Sequence, residues 1–164
     1  MDDEYYKRIE AVQFTISHDD GKIINDLEKS DVILVGPSRT SKTPTSIYLA
    51  NRGYRTSNIP IIPNKNLPDQ LIKSSKKTCT VGLICDSARL IDVRRNRVHS
   101  MHEDRPGNYT KEKNVIEEIK FSRTINSEQG MDKSIINSLT VAIPEEVPVI
   151  VSFNKKVSKP VLAS

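Results

Sequence analysis

The chain has 164 residues, no tryptophan, 5% aromatic and 28% charged residues, and a formal net charge of +4. That length supports one domain with a core that must be mostly aliphatic. No apolar run reaches the roughly 18 residues of a membrane span, and the acidic start MDDEYYKRIE is the reverse of a secretion signal, so a cytoplasmic chain without membrane association is expected.

The charge is uneven along the chain. Residues 1–30 hold eight acids against four bases, a net −4, which leaves +8 on residues 31–164 of a chain whose total is +4. A basic body suits an anionic or phosphorylated ligand.

In chain order, Tyr5, Ile9, Val12 and Ile16 recur at helical spacing and predict an amphipathic helix over 4–17 with those four facing inward. His18-Asp19-Asp20-Gly21 breaks it. Residues 31–35, DVILV, form a short apolar run of the kind found in strands covered on both faces. A helix is expected over 44–52, with Pro44 in its first turn and Gly53 beyond its end. A strand over 58–62 is limited by Pro60 and Pro63 to a short or edge position. A short helix over 68–74 and a strand over 78–85 follow.

Cys79 and Cys85 share that strand. At about 3.3 Å per residue they stand roughly 20 Å apart, too far for a disulfide, and read as buried thiols in a reducing compartment. A helix over 87–101 is expected to turn Leu90, Val93, Val98 and Met101 inward. Asn108-Tyr109-Thr110 caps a helix over 111–125, and residues 147–153 read as a last strand. Strands alternating with helices predict an α/β fold with a largely parallel sheet flanked by helices. Residues 126–146 have little periodicity.

Between the first strand and its helix lies Gly36-Pro37-Ser38-Arg39-Thr40-Ser41-Lys42-Thr43. A buried strand, a glycine loop and a helix are the setting in which a phosphate-binding loop is meaningful. Gly36 lets the chain turn sharply, the following N–H groups can curl around phosphate oxygens, and the helix start adds its positive dipole end. Lys42 supplies a mobile charge at the mouth of the site, and the Thr43 hydroxyl can sit on Mg²⁺. Ser41 departs from the general motif, where glycine permits unusual dihedrals. The competing account is an ordinary polar turn with Thr43 as helix cap. The chain then divides into a helical lead-in, 1–30, a P-loop-type nucleotide-binding domain, 31–153, and an irregular tail, 154–164.

Three further groups are candidates. Asp86 ends the second apolar strand, where phosphate-loop enzymes often place a Mg²⁺-binding acid, and is equally a good helix N-cap. Asp19 or Asp20 could take the proton of an acceptor hydroxyl, although HDDG also makes an acceptable turn. Arg94, Arg95 and Arg97 suit phosphate clamping or a solvated helix face. Nucleic-acid binding is not expected, because no aromatics interleave these charges. His99 and His102 stand at i, i+3 without a third ligand and read as a surface pair.

The stretch GPSRTSKTPTSIYLANRGYRTSNIPIIP closely resembles the pyruvate, phosphate dikinase and phosphoenolpyruvate synthase regulatory proteins. In that family a loop G-x-S-R-T-S/G-K-T-P precedes S-x-Y-L-A, and serine at the position of Ser41 is an accepted alternative to glycine. DDEYYKRIEAVQFTISHDDG and TVGLICDSARLIDVRRNRV are similar to the family too. The likeness covers residues 2 to about 125 well and EVPVIVSFNKK loosely.

The resemblance implies a bifunctional regulator. Such proteins phosphorylate a threonine of the dikinase with ADP as donor, and remove that phosphate with inorganic phosphate, releasing pyrophosphate. Residues 36–43 would hold the nucleotide, Lys42 would neutralise developing charge, Thr43 and Asp86 would serve Mg²⁺, and Asp19 or Asp20 would be the base. The protein partner would be pyruvate, phosphate dikinase or phosphoenolpyruvate synthase. Alternatives are a small-molecule P-loop kinase and a nucleotide-binding remnant without turnover. Family members are considerably longer, so a truncated or decayed copy is expected, binding ADP weakly and turning over little alone.

Overall fold

Strand β1 (Val32–Gly36) is buried along its whole length, as its unbroken apolar run requires of a strand covered on both faces. In the computed structural model, which describes residues 3–100, 109–128 and 150–153, it is an inner strand of a four-stranded sheet. The other strands are β2 (Thr56–Pro60), β3 (Cys79–Ile84) and β4 (Ile150–Phe153), in the order β2-β1-β3-β4. β2 and β3 both run parallel to β1, in registers that set Val32 opposite Thr56 and Cys79, and β4 runs antiparallel to β3. The expected largely parallel sheet is therefore present, with one antiparallel edge.

The helices are α1 (Asp3–Ser17), α2 (Lys42–Ala50), α3 (Asp69–Ser75), α4 (Ser87–Ser100) and α5 (Glu112–Glu128). Strand alternation sorts the core into two layers. Ile33 and Val35 pack with Ile59, Ile61 and Leu71 of the α3 side, and with Phe121 of α5. Val32 and Leu34 pack with Val81 and Leu83, against Leu49 of α2. A third cluster joins Ile84 and Cys85 to Leu90 and Ile91 of α4 and to Val115 and Ile119 of α5. With helices on both faces and a strand order that reverses about β1, the carboxyl ends of β1 and β3 border the crevice where such sheets bind ligands.

Pro60 ends β2, which is an edge strand as its prolines require. That edge is covered: the Asn58 N–H donates to the His18 carbonyl at 3.2 Å and the Thr56 N–H to Thr15 Oγ1 at 3.0 Å.

Two helix faces differ from the expectation. On α1, Tyr5, Ile9 and Ile16 are exposed, while Ala11 and Thr15 are buried. The face that meets β2 and α2 must approach closely, so small residues occupy it and the bulky apolar stripe points outward. On α4, Leu90 and Ile91 turn inward with Arg94, whereas Val93 is 39% exposed. An ion pair holds the place expected of an apolar side chain there. Met101, His102 and Asn108, residues 129–149 and the 154–164 tail lie outside the described residues. Cys79 and Cys85 form no disulfide, as their spacing requires; Cys85 is buried as expected, whereas Cys79, at the start of β3, is only half-buried.

Candidate functional site

The 36–43 loop leaves β1 pressed against β3. A Cβ built on Gly36 would stand 2.2 Å from the Leu83 carbonyl oxygen, a distance that no side chain accepts, so glycine here is a packing requirement. After Pro37 the backbone takes the left-handed region twice at non-glycine residues, Arg39 at φ 70° and Ser41 at φ 61°. Each costs on the order of 1–2 kcal/mol relative to the right-handed region, and such strain persists only where surrounding contacts over-determine it. Ser41 thus adopts the conformation for which glycine is favoured while keeping its side chain.

The fastenings are specific. The Pro37 carbonyl accepts from Thr40 Oγ1 at 2.9 Å and from Lys42 Nζ at 2.7 Å. The Ser38 carbonyl accepts from Arg94 Nη2 at 3.0 Å. Ser41 precedes α2 without capping it through its hydroxyl, and its carbonyl accepts from the Thr45 N–H at 3.1 Å. The first N–H groups of a helix have no intrahelical partner, and here they follow directly on the strained turn.

Lys42 is 5% exposed and does not stand at the mouth of the site as the sequence suggested. Its stem runs back under the loop to Pro37. Burial lowers its pKa from the ordinary 10.5 to about 8, with Asp20 and Glu118 acting in the opposite direction. An ammonium held in low dielectric interacts strongly with any anion that reaches it.

Thr43 does not cap α2 either. Its hydroxyl donates to Asp19 Oδ1 at 3.0 Å and accepts from Asn58 Nδ2 at 3.2 Å, and Asn58 also donates to Asp19 Oδ1. Asn58 is fully buried on β2, and its Oδ1 has no hydrogen-bond partner among the described residues. Asp19 is therefore committed to orienting Thr43. Asp20 is exposed and held at φ 53°, and a cavity of about 260 Å³ opens beside it, lined by Ile24, Ile59, Ile62 and Leu67 among others.

The HDDG segment is placed from behind by His18, which is 3% exposed. Its ring stacks on Phe14 with centroids 3.8 Å apart. Nδ1 lies 2.8 Å from the Phe14 carbonyl and Nε2 lies 2.8 Å from Asp26 Oδ1. The His18 contact, with Lys29 beside it, holds the Asp26 carboxyl below the usual range.

Asp86 Oδ1 accepts from the N–H groups of Ala88 and Arg89 at 3.0 and 3.3 Å, so the capping alternative describes it. Among the described residues no group of three or more His, Cys, Asp or Glu could hold a metal ion. The oxygen donors of Thr43 and Asp19 are the pair whose chemistry fits Mg²⁺. Of the arginine cluster, Arg95 and Arg97 are exposed, while Arg94 is buried and paired with Glu118 at 2.8 and 2.9 Å. His99 is exposed on α4.

Asn58, Glu118 and Tyr109 were not singled out as site residues by sequence. Two of them carry a signal: Asn58 is an amide inside a strand, and Glu118 stands between Val115 and Ile119 on the buried stripe of α5. No helix among the described residues is long and apolar enough to cross a membrane.

A family model described as kinase/pyrophosphorylase matches residues 1–151. The chain is 51% identical over 119 residues to a Pelagibacter ubique protein, covering 73% of this chain and 43% of the relative. It is 52% identical over 126 residues to one from Rhizobium meliloti, covering 76% and 46%. With an Ehrlichia canis protein it shares 42% over 156 residues, covering 95% and 56%. Each of the three bears the name "Putative pyruvate, phosphate dikinase regulatory protein". The chain spans about half the length of these relatives. A match from residue 1 to 151, with the quoted loop inside it, means that the chain belongs to the kinase/pyrophosphorylase family.

Proposed function

We propose that this chain carries the phosphotransfer site of an ADP-dependent serine/threonine kinase and phosphate-dependent pyrophosphorylase. Its protein substrate would be pyruvate, phosphate dikinase or phosphoenolpyruvate synthase. The observation that carries the reading is the doubly left-handed loop whose Pro37 carbonyl is held by a buried Lys42. Turns of this kind can gather N–H groups about an anion and the lysine adds a cation, the chemistry of a diphosphate site. The names of the relatives support the dikinase as partner.

In the kinase direction the β-phosphoryl group of ADP passes to a threonine hydroxyl, the bond to the α-phosphate breaks, and AMP leaves. Residues 36–43 bind and orient the diphosphate, and Lys42 sets its positive charge against the transferring group. Asp20, exposed and uncommitted to the loop, takes the hydroxyl proton. The neighbouring cavity offers room for the side chain beside the acceptor. Asp19 keeps the Thr43 hydroxyl turned so that its oxygen can face a cation. Bound Mg²⁺ would supply charge neutralisation at the phosphates, with Thr43 and Asp19 as its holders. In the reverse direction inorganic phosphate attacks the phosphothreonine, and threonine and pyrophosphate are released.

The test incubates the chain with ADP, Mg²⁺ and purified dikinase and maps phosphothreonine by mass spectrometry. Phosphate appearing on threonine with ADP is expected; transfer that requires ATP and ignores ADP sinks the reading. ADP binding in calorimetry with no transfer to the dikinase under any condition would leave nucleotide binding alone in place of the proposed reaction.

A further inference from the structure

We propose that Arg94 is a positioning residue that aims the backbone of the 36–43 loop, rather than a phosphate ligand. The inference rests on the reading of that loop as a diphosphate site. Arg94 is 1% exposed, so its guanidinium cannot reach outward to an anion. Its two terminal nitrogens pair with the two Glu118 oxygens at 2.8 and 2.9 Å. Nη2 also donates to the Ser38 carbonyl at 3.0 Å, and Nη1 to the Tyr109 carbonyl at 3.2 Å. The plane lies 4.5 Å over the centroid of the Tyr109 ring, and the Tyr109 hydroxyl lies 3.3 Å from Ser38 Oγ.

Two physical arguments lead from this geometry to a role in aiming. A peptide unit is planar and trans, so its N–H points opposite to its C=O. Holding the Ser38 carbonyl toward Arg94 therefore turns the Arg39 N–H away from the α4–α5 interior, at the first left-handed residue of the loop. The Pro37 carbonyl, held by Lys42 and Thr40, sets the Ser38 N–H in the same manner. Secondly, a buried ion pair is a poor device for stability alone, since apolar residues of similar volume commonly serve as well. Here the Arg94 fork retains a donor for the loop after satisfying Glu118, which an apolar pair would lack.

The test compares the parent chain with Arg94→Met/Glu118→Leu, which removes the charges together and fills the volume, and with Arg94→Lys, which keeps the charge beside Glu118 but loses the fork. Both are expected to keep the thermal midpoint near that of the parent while ADP affinity, measured by calorimetry, falls about tenfold or more, the loss typical of a charge-assisted bond. A folded double variant that binds ADP as the parent does overturns the proposal. The Arg39 amide ¹⁵N shift gives a ligand-free readout in the same chains, because it responds to hydrogen bonding at the preceding carbonyl. It should move in Arg94→Lys, and an unchanged shift overturns the proposal even if the double variant does not fold. A parent chain with no affinity for ADP would sink the diphosphate reading, and the amide shift would still decide the role of Arg94.

Discussion

The loop is held from two sides that are built differently. Toward β3, its anchor is a buried guanidinium locked in a bidentate ion pair with Glu118 and closed over by Tyr109. Toward β2, Thr43, Asp19 and Asn58 share a single carboxylate oxygen, with exposed Asp20 adjoining and a cavity opening beside it. A geometry over-determined on the first side can hold a strained backbone. The second side, with one acceptor and solvent access, can exchange partners. On the function proposed above, phosphate recognition would fall to the stiff side and acceptor chemistry to the yielding one.

The largest expected effect comes from breaking the stiff side outright. Gly36→Ala drives a methyl group into the Leu83 backbone and should cost about 3 kcal/mol of stability, read from urea unfolding, with ADP binding lost. A stable, binding-competent variant would mean that the loop can leave β3.

Lys42→Ala tests the charge beneath the loop. Phosphotransfer should fall by at least about 100-fold, measured in the dikinase assay, because the site would lose its cation together with one of the two donors that hold the Pro37 carbonyl. The same residue sets a pH dependence. Its folded pKa of about 8 lies below the unfolded 10.5, so between those values the unfolded chain holds a proton that the folded chain has released. Raising pH through that window removes the cost of burying the ammonium, and stability rises with pH. If ADP sits over Lys42 as proposed, its affinity should move the other way and weaken as pH climbs past about 8. Lys42→Arg should flatten that decline, since arginine stays protonated throughout.

On the yielding side, Asp19→Asn removes the carboxylate that Thr43 and Asn58 share. A loss of about 1.5 kcal/mol in stability is expected, together with a weaker dependence of ADP binding on Mg²⁺ in calorimetry. Unchanged Mg²⁺ dependence would detach Asp19 from the cation. The smallest effect is expected of Ser41→Gly, which relieves a left-handed serine and should be neutral or stabilise by up to about 1 kcal/mol. A marked loss of ADP affinity would instead make its hydroxyl a ligand.

Where sequence reading succeeded, the information was local. β1 and β3 are apolar runs covered on both faces, the prolines fixed β2 at an edge, and the loop lies between a strand and a helix as its spacing requires. Where it fell short, the information belonged to a neighbour. The inward face of α1 is set by how near β2 and α2 approach, which small residues permit and the Tyr5–Ile9 spacing cannot register. Arg94 and Glu118 are separated by 24 positions, and each alone reads as a solvated charge. Asn58 and Asp19 meet across 39 positions, so neither announced the other. Lys42 looked like a surface lysine because its stem, not its spacing, decides where its nitrogen lies.

The covered edge of β2 has a consequence for solubility. A strand with free N–H and C=O groups is a template on which another chain can pair, and here residues just before and within the HDDG turn occupy that edge. The segment that delivers Asp19 and Asp20 also guards against intermolecular strand addition. Substitutions that loosen it would thus be expected to surface as precipitation on storage as well as loss of activity, and the two defects should travel together across a mutant series.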